Sequence, residues 1–311
     1  MSGSESQRIA TLARVFGARS GRTITGIGDD AAVVRPGGAV IVTSVDAVVD
    51  GVHFTREHFP PRAIGRKAAA SALSDLAAMG ATPGEVYIAA DIPKDFTDDE
   101  FEQLAHGIEE VVAATGATAS GGDLTAAREL WLSVTVVGYA AGEDQVATRQ
   151  GAAAGEIVAV TGTLGGSAAA LEAITNGRQG PNQQKQFHPT PLFAAGQALV
   201  ASRATAMIDV SDGLARDAGQ LASASDIAIE IDLSKLPLAE SVTDAKAAAE
   251  SGEEYELLCT LRPEDFEAAA DAVASTGTAL TEIGRVLQGS GASFLGSDGR
   301  PVAVAGYQHF D

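Results

Sequence analysis

Apolar runs of strand length alternate with helix-length runs along most of the chain, and that alternation restricts the fold to layers of sheet and helix. Ala39 to Val45 (AVIVTSV) reads as a buried strand, and Arg62 to Met79 as an Ala-rich helix stopped by Gly80. Glu85 to Ala90 reads as a strand. Thr97 and Glu100 form a capping box that opens a helix running to about Thr115 and ending at Gly116. Trp131 to Tyr139 alternates as a strand does. A helix and a lead-in are expected over the first 25 residues or so.

The polar, glycine-containing stretch at 142–155 predicts a boundary, dividing the chain into domains 1–145 and 146–311. Its 311 residues suit two domains, at roughly 150 residues each. The second half opens with a strand at Ile157 to Thr161, the glycine-rich GTLGGS (162–167) and a helix of small residues. Residues 176–191 carry no periodicity, and their length suggests a segment that shields a site. A strand at Ala206 to Val210 precedes a helix from Asp212 to Ala222, with further strands near 227–231, 254–261 and 281–287. The predicted class is α+β with α/β-type layers: an N-terminal βαβ-like sheet domain and a C-terminal α/β domain.

Aromatic residues make up 5% of the chain against 35 glycines, so the core must rely on small side chains and close backbone contact. The net charge of −20 repels a phosphate backbone and argues against nucleic-acid binding. Cys259 is the single cysteine, which excludes an intrachain disulfide; its apolar surroundings (LLCT) place it in the core. No stretch reads as a signal peptide or approaches the ~20 apolar residues of a membrane span, so a cytoplasmic protein is expected.

Aspartates recur beside glycine or at the ends of expected elements: Gly26-Ile27-Gly28-Asp29-Asp30, Ser44-Val45-Asp46, Ser74-Asp75, Gly121-Gly122-Asp123, and Asp209-Val210-Ser211-Asp212-Gly213. Any one of them suits a turn or helix cap. As a set, most fall where backbone N–H groups can cradle phosphate. Gathered in one place, each like-charged pair at 4 Å costs ~4 kcal/mol at an effective dielectric near 20. Convergence therefore demands cations, and oxygen ligands without a Cys or His cluster favour Mg²⁺. Asp29 and Asp30, adjacent in extended chain, point to opposite faces, so only one is expected to face metal. Asp75 lies inside a predicted helix, where Asp is disfavoured, which points to function.

Other chemistries are missing from the sequence. It has no GxxxxGK[ST], and GTLGGS lacks the lysine, so that segment reads as a close strand-to-helix turn. No HRD or DFG set occurs, and His53, His106 and His188 are scattered rather than arranged with a serine nucleophile.

The ordered segments GIGDDAAVV, SVDAVVDGVHF, ALSDLAAMGA, GGDLT, IDVSDGL, SGEEYELL and the near-terminal GYQHF resemble thiamine-monophosphate kinase over nearly the whole chain. ALSDLAAMGA and DVSDGL are shared with aminoimidazole-ribonucleotide synthetase and selenophosphate synthetase; VHF, GEEYEL and GYQHF point to the thiamine member. The resemblance implies two α/β domains, the first forming a homodimer interface through its sheet. It also implies an ATP- and Mg²⁺-dependent transferase, a kinase of thiamine biosynthesis. ATP with several Mg²⁺ ions would phosphorylate thiamine monophosphate directly to thiamine diphosphate, with no covalent nucleophile on the protein. Such transfer needs mainly positioning and charge neutralisation.

Matched motif by motif, the resemblance assigns metal to Asp30, Ser44, Asp46, Asp75, Asp123, Asp209 and Asp212. It assigns nucleotide to Gly121, Gly122, Asp123, Arg149 and Ser211, and the thiamine side to His53, Glu253 and Tyr307. Taken alone, Arg149 reads equally as a surface charge, His53 as a packed strand residue, Tyr307 as a core closure and Glu253 as a turn residue. Four departures stand out. Val45 replaces a Thr, and Glu254 replaces the Asp of GGEDYEL. Ala105 stands where an adenine-side Tyr is frequent, and Leu192 follows Pro189-Thr190-Pro191 where an Arg is common.

A selenophosphate synthetase should carry a reactive cysteine near its N-terminus, and a hydrogenase-maturation relative should end in one; this chain has neither. Aminoimidazole-ribonucleotide synthetase would not be expected to carry VHF and GYQHF. A non-catalytic Mg-nucleotide sensor on the same scaffold would be expected to lose one or more metal carboxylates, and all six persist.

Overall fold

The computed structural model describes residues 23–25, 29, 32–34 and 40–307. The helix expected over the first 25 residues and Asp30 lie outside the described residues. The N-terminal elements are β1 (Thr23–Thr25), β2 (Ala32–Val34), β3 (Val40–Val49), α1 (Pro61–Ala78), β4 (Thr82–Pro93), α2 (Asp98–Thr115), β5 (Thr118–Ala127) and β6 (Trp131–Ala140). Their strands make one sheet in the order β1-β2-β3-β6-β4-β5, antiparallel except for the parallel β4–β5 edge.

The C-terminal elements are β7 (Ile157–Thr161), α3 (Gly166–Thr175), α4 (Gln183–Phe187), α5 (Phe193–Ala201), β8 (Ala206–Asp209), α6 (Leu214–Ser225), β9 (Ala228–Asp232), α7 (Ala245–Glu250), β10 (Leu257–Leu261), α8 (Pro263–Ala274), β11 (Leu280–Leu287), β12 (Gly291–Leu295) and β13 (Pro301–Val302). Their seven strands form a second sheet, ordered β13-β12-β9-β11-β7-β10-β8.

Helix α1 is the keystone between the sheets. Pro61 starts it at a position whose amide needs no partner. Its Ala-rich sequence lets it be buried on nearly every side, with Ile64, Leu73 and Leu76 fully enclosed. Each such aliphatic burial stabilises by about 1.5–3 kcal/mol. Absent side chains set the spacing: a Cβ on Gly65 would overlap the Leu104 carbonyl of α2, and one on Gly196 of α5 would overlap the Ala77 carbonyl of α1. The small-residue core expected from composition is therefore realised as close helix crossings. The α2 capping box forms as predicted, with Thr97 and Glu100 satisfying each other's amides and Gly116 closing the helix in the left-handed conformation.

Three regions differ from expectation. GGDLT, read among the turn-type aspartate motifs, lies inside β5, which adds to the sheet edge through parallel pairing with β4. The segment 176–191 contains the short α4. Helices α5 and α8 went unpredicted, although Pro263, Glu264 and Asp265 make a regular helix start. Cys259 lies in the wholly buried β10, and burial pushes its thiol up to about 12, so the residue belongs to the core.

Candidate active site

The C-terminal domain brings three sequence-distant segments to one place. After β8, the DVSDG turn is closed by Asp217 of α6, whose carboxylate accepts from the amides of Ser211 (3.1 Å) and Asp212 (3.2 Å). The SGEEYE segment folds back onto that turn: Glu253 N donates to Ser211 O at 2.8 Å, and Glu254 N and Tyr255 N donate to Val210 O. Glu253 and Tyr255 hold φ near +59° and +54°, a strained conformation for side-chain-bearing residues. Tyr307 docks on the same turn, its N donating to Asp212 O, and Arg216 reaches both the Asp212 carboxylate (2.9 Å) and Tyr307 O (2.7 Å). Ser211, Asp212, Glu253 and Tyr307 thus share one hydrogen-bonded unit, with Asp209 at the end of β8 leading into it.

The N-terminal domain meets this unit through α1 and β3. Ser74 Oγ donates to Asp209 Oδ2 at 2.6 Å, a fully buried bond between domains. One residue on, Asp75 accepts from Ser44 Oγ of β3 at 2.5 Å. Asp46 lies two residues further along β3 on the same helix-covered face. The helical Asp75 therefore lies where α1, β3 and β8 meet, at the junction of the two domains.

Tyr255 lies in the field of carboxylates from both domains. Its buried phenol is pushed well above its ordinary value, first by burial and then by the charges of Glu253, Asp46, Asp209 and Asp75. Carboxylates of both domains thus act on one buried phenol. Among the described residues, no three His, Cys, Asp or Glu side chains close on a single point as they would around an ion. The donor set is nevertheless all oxygen, repulsive without a cation and free of sulfur or imidazole, which fits Mg²⁺.

The remaining expected residues are placed as follows. Asp123 is set apart from this group. Asp46 pairs in register with Val134, Val134 with Ile88, and Ile88 with Gly122, so Asp123 stands three strands from β3 and on the opposite sheet face. Gly122 has a structural reason to lack a side chain, since a Cβ there would overlap the Ile88 carbonyl; Gly121 faces only the Tyr87 ring at 3.5 Å. Arg149 is no loose surface charge: its backbone amide and guanidinium both face Asp29, and Nη1 donates to Gln220 at 2.5 Å. Asp29 is accordingly the GIGDD aspartate that pairs with arginine. His53 sits in a turn after β3 rather than in a strand, and its Nδ1 accepts from the Val49 amide, leaving the proton on Nε2.

The GTLGGS turn is closed by the protein itself. The amide of Ser167 donates to Glu254 Oε1, the Ser251 hydroxyl donates to the same oxygen, and a Cβ on Gly162 (φ +56°) would run into the Glu256 carboxylate. Lys185 of α4 pairs with Glu256 at 2.6 Å and approaches Glu254 at 3.8 Å. Burial pushes the Glu254 carboxyl up to about 7, against the lowering pull of Lys185 and of its Ser251 and Ser167 hydrogen bonds. The substitution of Glu for Asp at 254 thus supplies a cap for α3. Sequence reasoning missed Lys67, Ser74, Gln186 and Asp217. Ser74 was visible in the SD pair and Asp217 in its spacing from DG, whereas Lys67 and Gln186 carried no signal.

Profiles of AIR synthase related proteins match residues 28–140 (N-terminal domain) and 153–296 (C-terminal domain). Two AIR synthase-type domains with a carboxylate-lined junction define the class of this protein. Within that class it belongs to the thiamine-monophosphate kinase family. It is 38% identical to the thiamine-monophosphate kinase of Halobacterium salinarum over 93% of this chain and 96% of the relative. It is 34% identical to that of Mycobacterium tuberculosis, over 95% and 89%. The fold superposes on AaThiL complexed with AMPPCP and TMP with a TM-score of 0.87 at 29% identity, covering 99% of this chain and 97% of the other.

Proposed function

We propose that this chain transfers the γ-phosphoryl group of ATP to the phosphate of thiamine monophosphate, giving thiamine diphosphate and ADP. The observation that carries this reading is the meeting of aspartates from two domains: Asp75 accepts from Ser44 of β3 at 2.5 Å, and Ser74 beside it donates to Asp209 at 2.6 Å. Family membership supports the choice of acceptor, since relatives of similar length carry the thiamine-monophosphate kinase name.

Mg²⁺, when bound, neutralises the facing phosphates and stabilises charge on the transferring group. Asp46, Asp75, Asp209 and Asp212, with Ser44 and Asp30, are the oxygens proposed to hold it; Asp123, across the sheet, is assigned on the resemblance alone. Arg149, held by Asp29 and Gln220, and Ser211, with its amide fixed by Asp217, are proposed to orient the nucleotide phosphates alongside Gly121 and Gly122. His53, Glu253 and Tyr307 are proposed to border the acceptor. No side chain need form a bond to phosphorus, because binding and orientation supply the catalysis.

The proposal extends to a cytoplasmic homodimer divided near residue 145. The sheet face away from α1 presents Val45 (61% exposed) and Tyr87 (41% exposed) in one row through Thr135, an apolar surface suited to a second copy. Among the described residues no helix is long and apolar enough to cross a membrane. Phosphorus NMR of the protein with ATP, Mg²⁺ and thiamine monophosphate is the test. Thiamine diphosphate should appear one for one with ADP; intact ATP, or hydrolysis without acceptor phosphorylation, contradicts the reading.

A further inference from the structure

Lys67 of α1 is 1% exposed, yet it carries a charge into the junction of the domains. A buried ammonium needs a carboxylate and further hydrogen bonds to be tolerated. Both are present. Nζ lies 2.6 Å from Glu253 Oε1 and donates to Gln186 Oε1 at 2.8 Å, with the Phe59 ring 5.3 Å away. Gln186 closes the circuit by donating from Nε2 to Glu253 Oε2 at 3.0 Å and to Ser167 Oγ at 2.6 Å. The three side chains form a ring in which each touches the other two. They come from α1, from the 176–191 segment and from the strained Ser251–Tyr255 loop.

Two consequences follow from this ring. Glu253 has an ammonium on one oxygen and an amide on the other, which makes it a poor competitor for a cation and separates it from Asp46, Asp75 and Asp209. Its side chain is still 26% exposed, so the fixed carboxylate keeps an open edge. The ring also docks the 176–191 segment, helped by Phe187 packing edge-on against Phe59 (5.6 Å between centroids) and by the Lys185–Glu256 pair.

We infer that Gln186 and Lys67 are positioning residues for the acceptor: they aim the Glu253 carboxylate and pin the 176–191 segment over that side of the site. The inference rests on the proposed acceptor role of Glu253. The test compares wild type with Gln186→Met, which keeps volume and loses every hydrogen bond, and with Gln186→Glu, which keeps an acceptor for Lys67 and sets a carboxylate against Glu253. Hydrogen bonds to charged groups are worth enough for roughly a tenfold effect. Both variants should raise KM for thiamine monophosphate about tenfold, with kcat and KM for ATP within about twofold. Trypsin should cleave after the exposed Arg178 several times faster in both variants without ligand.

An unchanged acceptor KM in active variants, or a parallel loss in kcat and KM for ATP, overturns the positioning role; unchanged cleavage overturns the docking. A wild type that leaves thiamine monophosphate unphosphorylated overturns the acceptor reading itself. The trypsin comparison separates that failure from failure of the ring.

Discussion

Two strand-to-helix turns in the C-terminal domain, one rich in glycine and one in aspartate, are filled in opposite ways. GTLGGS, between β7 and α3, looks like a phosphate loop in sequence. Its Ser167 amide, however, is taken by Glu254, its Gly162 and Leu164 amides by the Ala279 and Pro237 carbonyls, and its glycines make room for Glu256 and neighbouring chain. DVSDG, between β8 and α6, has its Ser211 and Asp212 amides held by Asp217, while Asp209 reaches across to Ser74 of the other domain. The first turn is filled with the protein's own carboxylates as structure. The second presents carboxylates at the domain junction. Glycine content measures how closely chains approach; what fills the space decides whether a turn is a site.

The largest effect should come from the second turn. Asp209→Asn should lower kcat by about a thousandfold, a loss on the scale of removing one electrostatic stabiliser of the transition state. Its unliganded thermal midpoint should hold or rise as repulsion with Asp46 and Asp75 is relieved. A large drop in melting temperature with activity retained would reverse the roles given to the two turns.

Glu254 makes the converse prediction for the first turn. Its folded value of about 7 lies above its ordinary value of 4.5. Below pH 4.5 both folded and unfolded chains hold the proton and nothing is lost. As pH rises from 4.5 through 7 the unfolded chain releases it first, so stability falls and then levels off. The shift corresponds to at most ~3 kcal/mol. Glu254→Gln should keep activity within a few-fold, be more stable than wild type at pH 8, and flatten denaturation midpoints between pH 4.5 and 7. An unchanged pH profile would show that Glu254 is not held in this way.

Asp217→Asn should cost about 1–2 kcal/mol by weakening charge-assisted bonds to the second turn, with a smaller kinetic effect than Asp209→Asn. Thr97→Ala, remote from both turns, should cost ~1 kcal/mol in urea melts and leave turnover alone. Equal kinetic damage from Thr97→Ala and Asp217→Asn would mean that Asp217 contributes stability only.

Much of this architecture was legible in the chain. The capping box at Thr97, the strand at Ile157–Thr161 and the helical placement of Asp75 all follow from local rules, because periodicity and capping act over a few residues. Glycines in GGDLT disguised β5, whose strand character comes from its neighbour β4 rather than from its own side chains. The short α4 is too brief to show a period. The partners Lys67–Gln186 and Ser167–Glu254 lie 119 and 87 residues apart, beyond any local pattern. Aspartate motifs pointed to the domain junction for Asp75 and Asp209 but not for Asp123; the residues that hold them in place emerged only from packing.

Carboxylates of both domains are proposed to form one Mg-nucleotide phosphoryl-transfer site. Calorimetric titration of a non-hydrolysable ATP analogue, with and without Mg²⁺, into wild type and the Asp75→Asn and Asp209→Asn variants tests it most directly. The account predicts binding that requires Mg²⁺ and weakens at least tenfold when either domain loses its aspartate. Binding that is indifferent to Mg²⁺, or that is unaffected by either substitution, would contradict it.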